Sequence, residues 1–178
     1  IKKEAAAGVV RAAGHKESAS LIKPGVTTLE IDRFVETFLR RHGATPEKKG
    51  YNGYEYATCA SINDEVCHGF PRRQPLKSGD IVTVDMVVNL NGGLAASAWT
   101  YAVGEISEQD RRLMEVTHRA LELGIAQAAV GNRLADTGPA IQSYVEAEGL
   151  SAVPALPGHC TGPSIHQHPP GPPSARPC

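Results

Sequence analysis

Apolar and polar residues alternate most regularly between Ser78 and Val103, and the pattern predicts a β-hairpin. The first arm, residues 81–90, is rich in β-branched side chains, and a second arm starts at Gly93. Between them stands Asn91-Gly92, a pair suited to a tight turn because both of its positions need positive φ. Successive side chains of a strand point to opposite faces, so the first arm should have one apolar face, made by Val82, Val84, Met86, Val88 and Leu90.

The other face of the first arm carries one acid, Asp85. If Asn91-Gly92 is the two-residue loop, Val87 pairs with Ala96, and Asp85 pairs with Ala98. Position 96 is then the diagonal neighbour of Asp85, at about 7–8 Å. A carboxylate there would complete a two-acid site for a metal, but this sequence has alanine.

Helical patterns lie on both sides of the predicted hairpin. Residues 5–22 form an alanine-rich helix that 23–25, Lys-Pro-Gly, should end. A second helix opens with the capping-box pattern Thr27-x-x-Glu30 and ends at 42–43. A short strand is expected over 58–63, and residues 65–71 are expected to form the end of another strand. A third helix is expected from Ser107 to about Ala129, with an inner seam of Leu113, Val116, Ala120 and Leu123.

An internal repeat is indicated by glycines that bracket two of the helices at the same interval. Gly25 and Gly43 bracket the second helix, and Gly131 and Gly149 bracket a fourth, 106 residues further on. Pro139 fits the fourth helix if it lies within the first turn, with Asp136 as the N-cap.

Composition bounds the function. The chain has 178 residues, enough for one sizeable core or one and part of a second. Its net charge of -1, with acids and bases interspersed, argues against nucleic acid or an anionic membrane as the main partner. No apolar run approaches membrane-spanning length, and the cytoplasm is the expected compartment. The four cysteines include no Cys-x-x-Cys pair, so reduced thiols are expected.

Several motifs, in order and in register, resemble the type I methionine aminopeptidases over about residues 5–169. They are Lys49-Gly50-Tyr51, the Cys-Ala-Ser-Ile-Asn-Asp-Glu-Val-Cys-His-Gly run at 59–69, the Gly-Asp-Ile-Val-Thr-Val-Asp run at 79–85, and Gly158-His159. The resemblance implies the α+β pita-bread fold, a curved antiparallel sheet with flanking helices. It implies one aminopeptidase-like domain over 1–178, with a first half at 1–104, a partial second half at 105–178 and a Pro-rich tail at 169–178.

The resemblance also implies an activity, the metal-dependent removal of methionine from the N-terminus of new proteins. Asp85 and His159 would be metal ligands, and His68 and His166 would act in catalysis beside the substrate. The expected cofactor is a divalent metal such as Co, Mn, Fe or Zn, with two ions in the family. Ala96 stands where the resemblance expects a second, bridging Asp.

Two hypotheses about activity follow. The family's two remaining ligands are glutamates beyond His166, and this sequence has no acidic residue after Glu148. Two of five ligands would hold a divalent ion weakly, so we expect the chain to be inactive or weakly active. The alternative is a non-catalytic homologue that binds peptide or another protein. A prolidase-like relative is a third interpretation, which the 59–66 stretch disfavours.

Overall fold

The structure is a computed structural model, and it describes residues 1–153, 156 and 158–170. The chain divides into two compact units. The first contains residues 1–107 and 161–165, and the second contains residues 108–160 and those from 166 onward.

A four-stranded antiparallel sheet forms the centre of the first unit. Its strands are β1 (Thr45–Pro46), β2 (Thr58–Ile62), β3 (Ile81–Leu90) and β4 (Gly93–Ala102). The last two are the predicted hairpin, and the register, with Leu90 opposite Gly93 and Val87 opposite Ala96, confirms the expected turn. Since β4 pairs along the whole of β3, β1 and β2 share its other edge.

The apolar face of β3 makes the main core with the helices α1 (Lys2–Ala19) and α2 (Thr28–Arg41). The predicted capping box is confirmed. Thr27 accepts from the Glu30 amide, and the Glu30 carboxylate accepts from the Thr27 amide. This closes the first turn of α2 and sets its apolar face against the sheet. The fully buried members of the core include Ile31, Val35, Leu39, Val82, Val84, Met86 and Val88.

In the second unit, α3 (Glu108–Gln127) packs against α4 (Thr137–Ala147). The inner seam of α3 is shifted from the prediction, since Leu113 is 41% exposed and Gly124 is buried. A Cβ at Gly124 would lie 2.7 Å from the Ile141 side chain. The glycine lets the two helices approach closely, and that approach decides which residues face inward.

The fourth helix begins as expected, and a short two-stranded sheet follows it along the chain. Asp136 is its N-cap, and Pro139 lies in the first turn. The first two residues of the predicted Pro-rich tail, 169 and 170, lie in a strand, β6 (Gln167–Pro170), which pairs with β5 (His159–Cys160). The rest of the predicted Pro-rich tail, 171–178, lies outside the described residues. Residues 65–71, expected to end a strand, form an irregular loop.

The ends of α2 and α4 share one hydrogen-bond pattern at the predicted interval. The amides of His42 and Ala44 bond the carbonyls of Phe38 and Leu39. The amides 106 positions later, at 148 and 150, bond the carbonyls at 144 and 145. The intervening glycines both have positive φ, 69° and 74°. Both ends are glycine caps of a common type, so the internal duplication stays a prediction. Within the described part of the chain, no helix has the length and hydrophobicity needed to span a membrane.

Candidate functional site

The hairpin places Asp85 next to Ala96, the position at which a second carboxylate is missing. Asp85 lies opposite Ala98, and Val87 lies opposite Ala96, so Ala96 is the diagonal neighbour of Asp85. Ala96 is partly buried and packs against an apolar cluster of Val87, Leu94 and Ile165. No side chain at 96 or 98 can donate an oxygen to a cation bound by Asp85.

Asp85 has a partner that the sequence did not reveal. The Lys48 ammonium donates to Asp85 Oδ2 at 2.6 Å and approaches the Cys59 sulfur at 3.4 Å. Cys59 is the residue of β2 that pairs with Asp85. The two side chains of the ion pair are 13% and 28% exposed. The pair is therefore partly shielded, and the ammonium lies over the boundary between β2 and β3.

A turn after β1 places Lys48. The Glu47 amide donates to the Val87 carbonyl at 2.9 Å, which attaches this turn to β3. The Glu47 carboxylate accepts from the Asn89 side chain at 2.8 Å. Glu47 thus binds Asn89 and Lys48 binds Asp85, and these two partners lie on the same face of the sheet. Because the backbone is attached at 47, the lysine side chain is directed towards Asp85.

Two polar side chains of α1, the partly buried Arg11 and the buried His15, contact β4 next to Ala96. Arg11 donates to the Ala96 carbonyl at 2.7 Å. His15 Nε2 lies 3.0 Å from the Ser97 hydroxyl, and Nδ1 lies 3.0 Å from the Tyr101 hydroxyl. Burial lowers the pKa of His15 and raises the pKa of Tyr101 to about 12. This network fixes the position of the strand at residue 96.

The buried carboxylate of Asp32 anchors β2 to α2. Asp32 is 4% exposed, and its Oδ1 accepts from the Thr58 amide and hydroxyl, both at 2.8 Å. Burial raises the pKa of Asp32 against the opposing effect of these bonds. The anchor holds the start of β2 one residue before Cys59.

His68 lies in the loop after β2. It is exposed and has a φ of 58°, an uncommon conformation for a residue other than glycine. The next residue is fixed, because the Ala60 amide donates to the Gly69 carbonyl at 2.8 Å and the Gly69 amide donates to the Ser61 hydroxyl at 3.1 Å. A Cβ at 69 would lie 2.3 Å from the Ala60 oxygen. Glycine is required there, and it fixes where the backbone presents His68.

Three aromatic rings pack together around that loop, and sequence reasoning gave them no role. The ring centroids of Tyr54 and Phe70 are 5.4 Å apart, and those of Tyr54 and Tyr56 are 5.7 Å apart. Phe70 remains 63% exposed. The clustering of tyrosines at 51, 54 and 56 is the only sequence signal that could have drawn attention to them.

The other two predicted histidines meet in the second unit. His159 lies in β5, and His166 immediately precedes β6. Their ring centroids are 4.4 Å apart, and both side chains are exposed. The structure therefore brings His159 and His166 together, while Asp85 and His68 belong to the first unit.

The residues described do not fit a two-ion centre. Over residues 1–153, 156 and 158–170, no group of three or more His, Cys, Asp or Glu side chains is placed to hold a metal ion. The strand acid at 85 is bound by an ammonium, and its diagonal neighbour is a methyl group. A two-ion centre needs several oxygen ligands that converge on a shared water, and this face supplies one carboxylate.

A family model for metallopeptidase family M24 matches residues 3–177, and the chain belongs to that family. Membership in a metallopeptidase family implies dependence on a divalent metal. Within it the chain is similar to the methionine aminopeptidases. Methionine aminopeptidase 1 of Bacillus subtilis is 43% identical over 180 residues, a match that covers 96% of this chain and 73% of the relative. The Clostridium perfringens enzyme is 45% identical, and the match covers 63% of its length.

Solved structures agree with the sequence comparison. The methionine aminopeptidase of Thermotoga maritima superimposes with a TM-score of 0.95 at 36% identity, covering 99% of this chain and 71% of that one. Prolidases share the fold at 20% identity or less, which shows the fold alone. The predicted pita-bread fold and the predicted family are confirmed, and the prolidase interpretation is not favoured.

Proposed function

We propose that this chain is a methionine aminopeptidase directed at peptides that begin with methionine, and that its own turnover is far below that of its relatives. The family match and the names of the relatives support the substrate class. Within this proposal His68 and His166 lie beside the substrate, and Asp85 and His159 take the metal-ligand positions. The expected cofactor is Mn, Co, Fe or Zn, and the expected compartment is the cytoplasm.

The observation that carries the low turnover is the methyl group at Ala96, held diagonal to Asp85 by the hairpin register. Hydrolysis by a two-ion enzyme needs a water that both ions acidify, and a bridging carboxylate holds the ions at the necessary separation. Alanine cannot bridge. The apolar cluster around Ala96, formed with Val87, Leu94 and Ile165, contains no other oxygen donor in its place.

The test measures methionine released from a Met-Ala-Ser peptide in the presence of Mn or Co. We expect the unchanged chain to be at least about 100-fold slower than the Bacillus subtilis relative, a barrier difference of about 2.7 kcal/mol. Because Lys48 is paired with Asp85, the variant that should recover most of the rate combines Ala96→Asp with Lys48→Met and is extended by the C-terminal part of that relative. The same extended chain with Ala96 retained is the matched control, and it should stay slow.

A binding assay separates hydrolysis from substrate recognition. A Met-Ala-Ser peptide labelled at its C-terminus should bind to the unchanged chain more tightly than its N-acetylated counterpart. Turnover by the unchanged chain at the rate of its relatives would contradict the low-turnover proposal. Equal affinity for the free and acetylated peptides would remove the support for recognition of an N-terminus.

A further inference from the structure

Lys48 and Asp85 form an ion pair on the sheet of the first unit. Lys48 Nζ lies 2.6 Å from Asp85 Oδ2, and the lysine side chain is only 13% exposed. A lysine so shielded has lost part of its hydration, and the contact with the carboxylate replaces it. Neither Ala96 nor Ala98 offers the carboxylate a side-chain donor.

The lysine is held in place by the backbone as well as by its charge. The Tyr51 amide donates to the Lys48 carbonyl at 3.0 Å, and the preceding Glu47 amide is bonded to Val87. Its ammonium also contacts Cys59, the cross-strand partner of Asp85. The backbone that carries the lysine is therefore fixed by hydrogen bonds on both sides of residue 48.

The neighbouring lysine makes a different kind of pair. Lys49 donates to Glu36 at 2.7 Å, and its side chain is 42% exposed. Exposed pairs of this kind contribute little to stability. The two adjacent lysines therefore differ in what they neutralise and how far they are shielded, while their side chains are chemically identical. This makes Lys49 an internal reference for Lys48.

We propose that the Lys48 ammonium is the resident cation of the Asp85 site and excludes divalent metal from it. A divalent ion at Asp85 would have to break the 2.6 Å pair and then lie close to a displaced ammonium of like charge. With one carboxylate and one ammonium in contact, the charges are already balanced. The inference rests on the proposed function only in taking Asp85 as the family's ligand position.

The test compares Mn affinity in Lys48→Met and Lys49→Met by calorimetric titration without substrate. Both variants lose one positive charge from the same turn, so general attraction of a cation changes equally. Only Lys48→Met frees Asp85, and we expect it to bind Mn at least about tenfold more tightly than the unchanged chain. At ten times its dissociation constant, Mn should raise the melting temperature of this variant by about 3 °C.

Substitution of the acid identifies where the ion binds. Asp85→Asn added to Lys48→Met should abolish the gain in Mn affinity. In the unchanged chain, Asp85→Asn should leave Mn affinity as it was, because Lys48 already occupies the acid. A fall in Mn affinity in this last comparison would overturn the inference even if Lys48→Met does not fold.

Two results would overturn the inference. One is a Mn affinity of the unchanged chain that falls on Asp85→Asn, since metal would then reach the acid past the lysine. The other is equal Mn affinity in the folded Lys48→Met and Lys49→Met variants. Neither depends on methionine release, so failure here is distinguishable from failure of the proposed function.

Discussion

Replacing Asp32 tests whether a single buried carboxylate holds the strand beside the site. Asp32 is 4% exposed on α2 and accepts two hydrogen bonds of 2.8 Å from Thr58. Asp32→Ala leaves the buried Thr58 amide without its acceptor, at a cost of about 1–3 kcal/mol. It also relieves the desolvation that raises the Asp32 pKa. The first effect should win, because a buried amide cannot recover its partner from water.

We expect Asp32→Ala to lower the free energy of unfolding by about 2 kcal/mol, equivalent to about 4–8 °C in melting temperature for a chain of this size. Asp32→Asn keeps an oxygen acceptor for the amide and has no charge to desolvate. It should stay within about 1 kcal/mol of the unchanged chain. The ordering of the two variants is therefore a sharper prediction than either value alone.

The assay is urea unfolding followed by the fluorescence of Trp99, the single tryptophan, which lies in β4 of the first unit. Because burial raises the folded pKa of Asp32 above its ordinary 3.8, its contribution to stability is full below that value and is lost as pH rises through the folded pKa. Asp32→Asn should lack this loss. Glu36→Ala, on the same helix, breaks exposed pairs and should cost less than about 1 kcal/mol.

An Asp32→Asn variant as damaged as Asp32→Ala would refute the reasoning, because the lost charge rather than the lost acceptor would then dominate. An Asp32→Ala cost equal to that of Glu36→Ala would refute it from the other side.

Three further predictions concern α1 and its contact with the hairpin. Gly93→Ala should destabilise the chain by about 3 kcal/mol in urea unfolding, because a Cβ there would come within 2.4 Å of the Lys3 carbonyl carbon. Gly8→Ala, whose Cβ meets nothing within 4 Å, should instead stabilise α1 by about 0.5–1 kcal/mol. Burial lowers the folded pKa of His15 below its ordinary 6.5. The contribution of His15 to stability is therefore full above 6.5 and is lost as pH falls from 6.5 through the folded pKa. Thermal melts of His15→Gln should lack this loss.

The features that the sequence predicted correctly are local ones. Asn91-Gly92 permits one tight turn, and that turn determines the residue opposite each position of β3. The Thr27 and Glu30 cap likewise depends on residues three apart. In both cases the partners are close in the chain, so the spacing of residue types was enough to derive the geometry.

Prediction failed where packing between distant segments selects the outcome. The periodicity of α3 allowed Leu113 on its inner face, but close packing at Gly124 against Ile141 turned that face. The pattern of β3 showed that Asp85 needs a partner and could not name Lys48, 37 residues away in a polar turn. In the sequence, a lysine in such a turn cannot be distinguished from a solvated lysine, because only the fold brings the acid into contact with it.

The lack of an acid at 96 agrees with the presence of a single ammonium at Asp85. Asp85 and Lys48 balance each other in charge, and the pair is partly shielded from solvent. A second acid at 96 would add a negative charge beside the apolar cluster of Val87, Leu94 and Ile165, which a bound cation would help to neutralise. An acid added at 96 would therefore favour a bound metal, and removing the lysine would make room for one. The two substitutions should act together, with the Lys48→Met and Ala96→Asp double variant binding Mn more tightly than the two single gains combined.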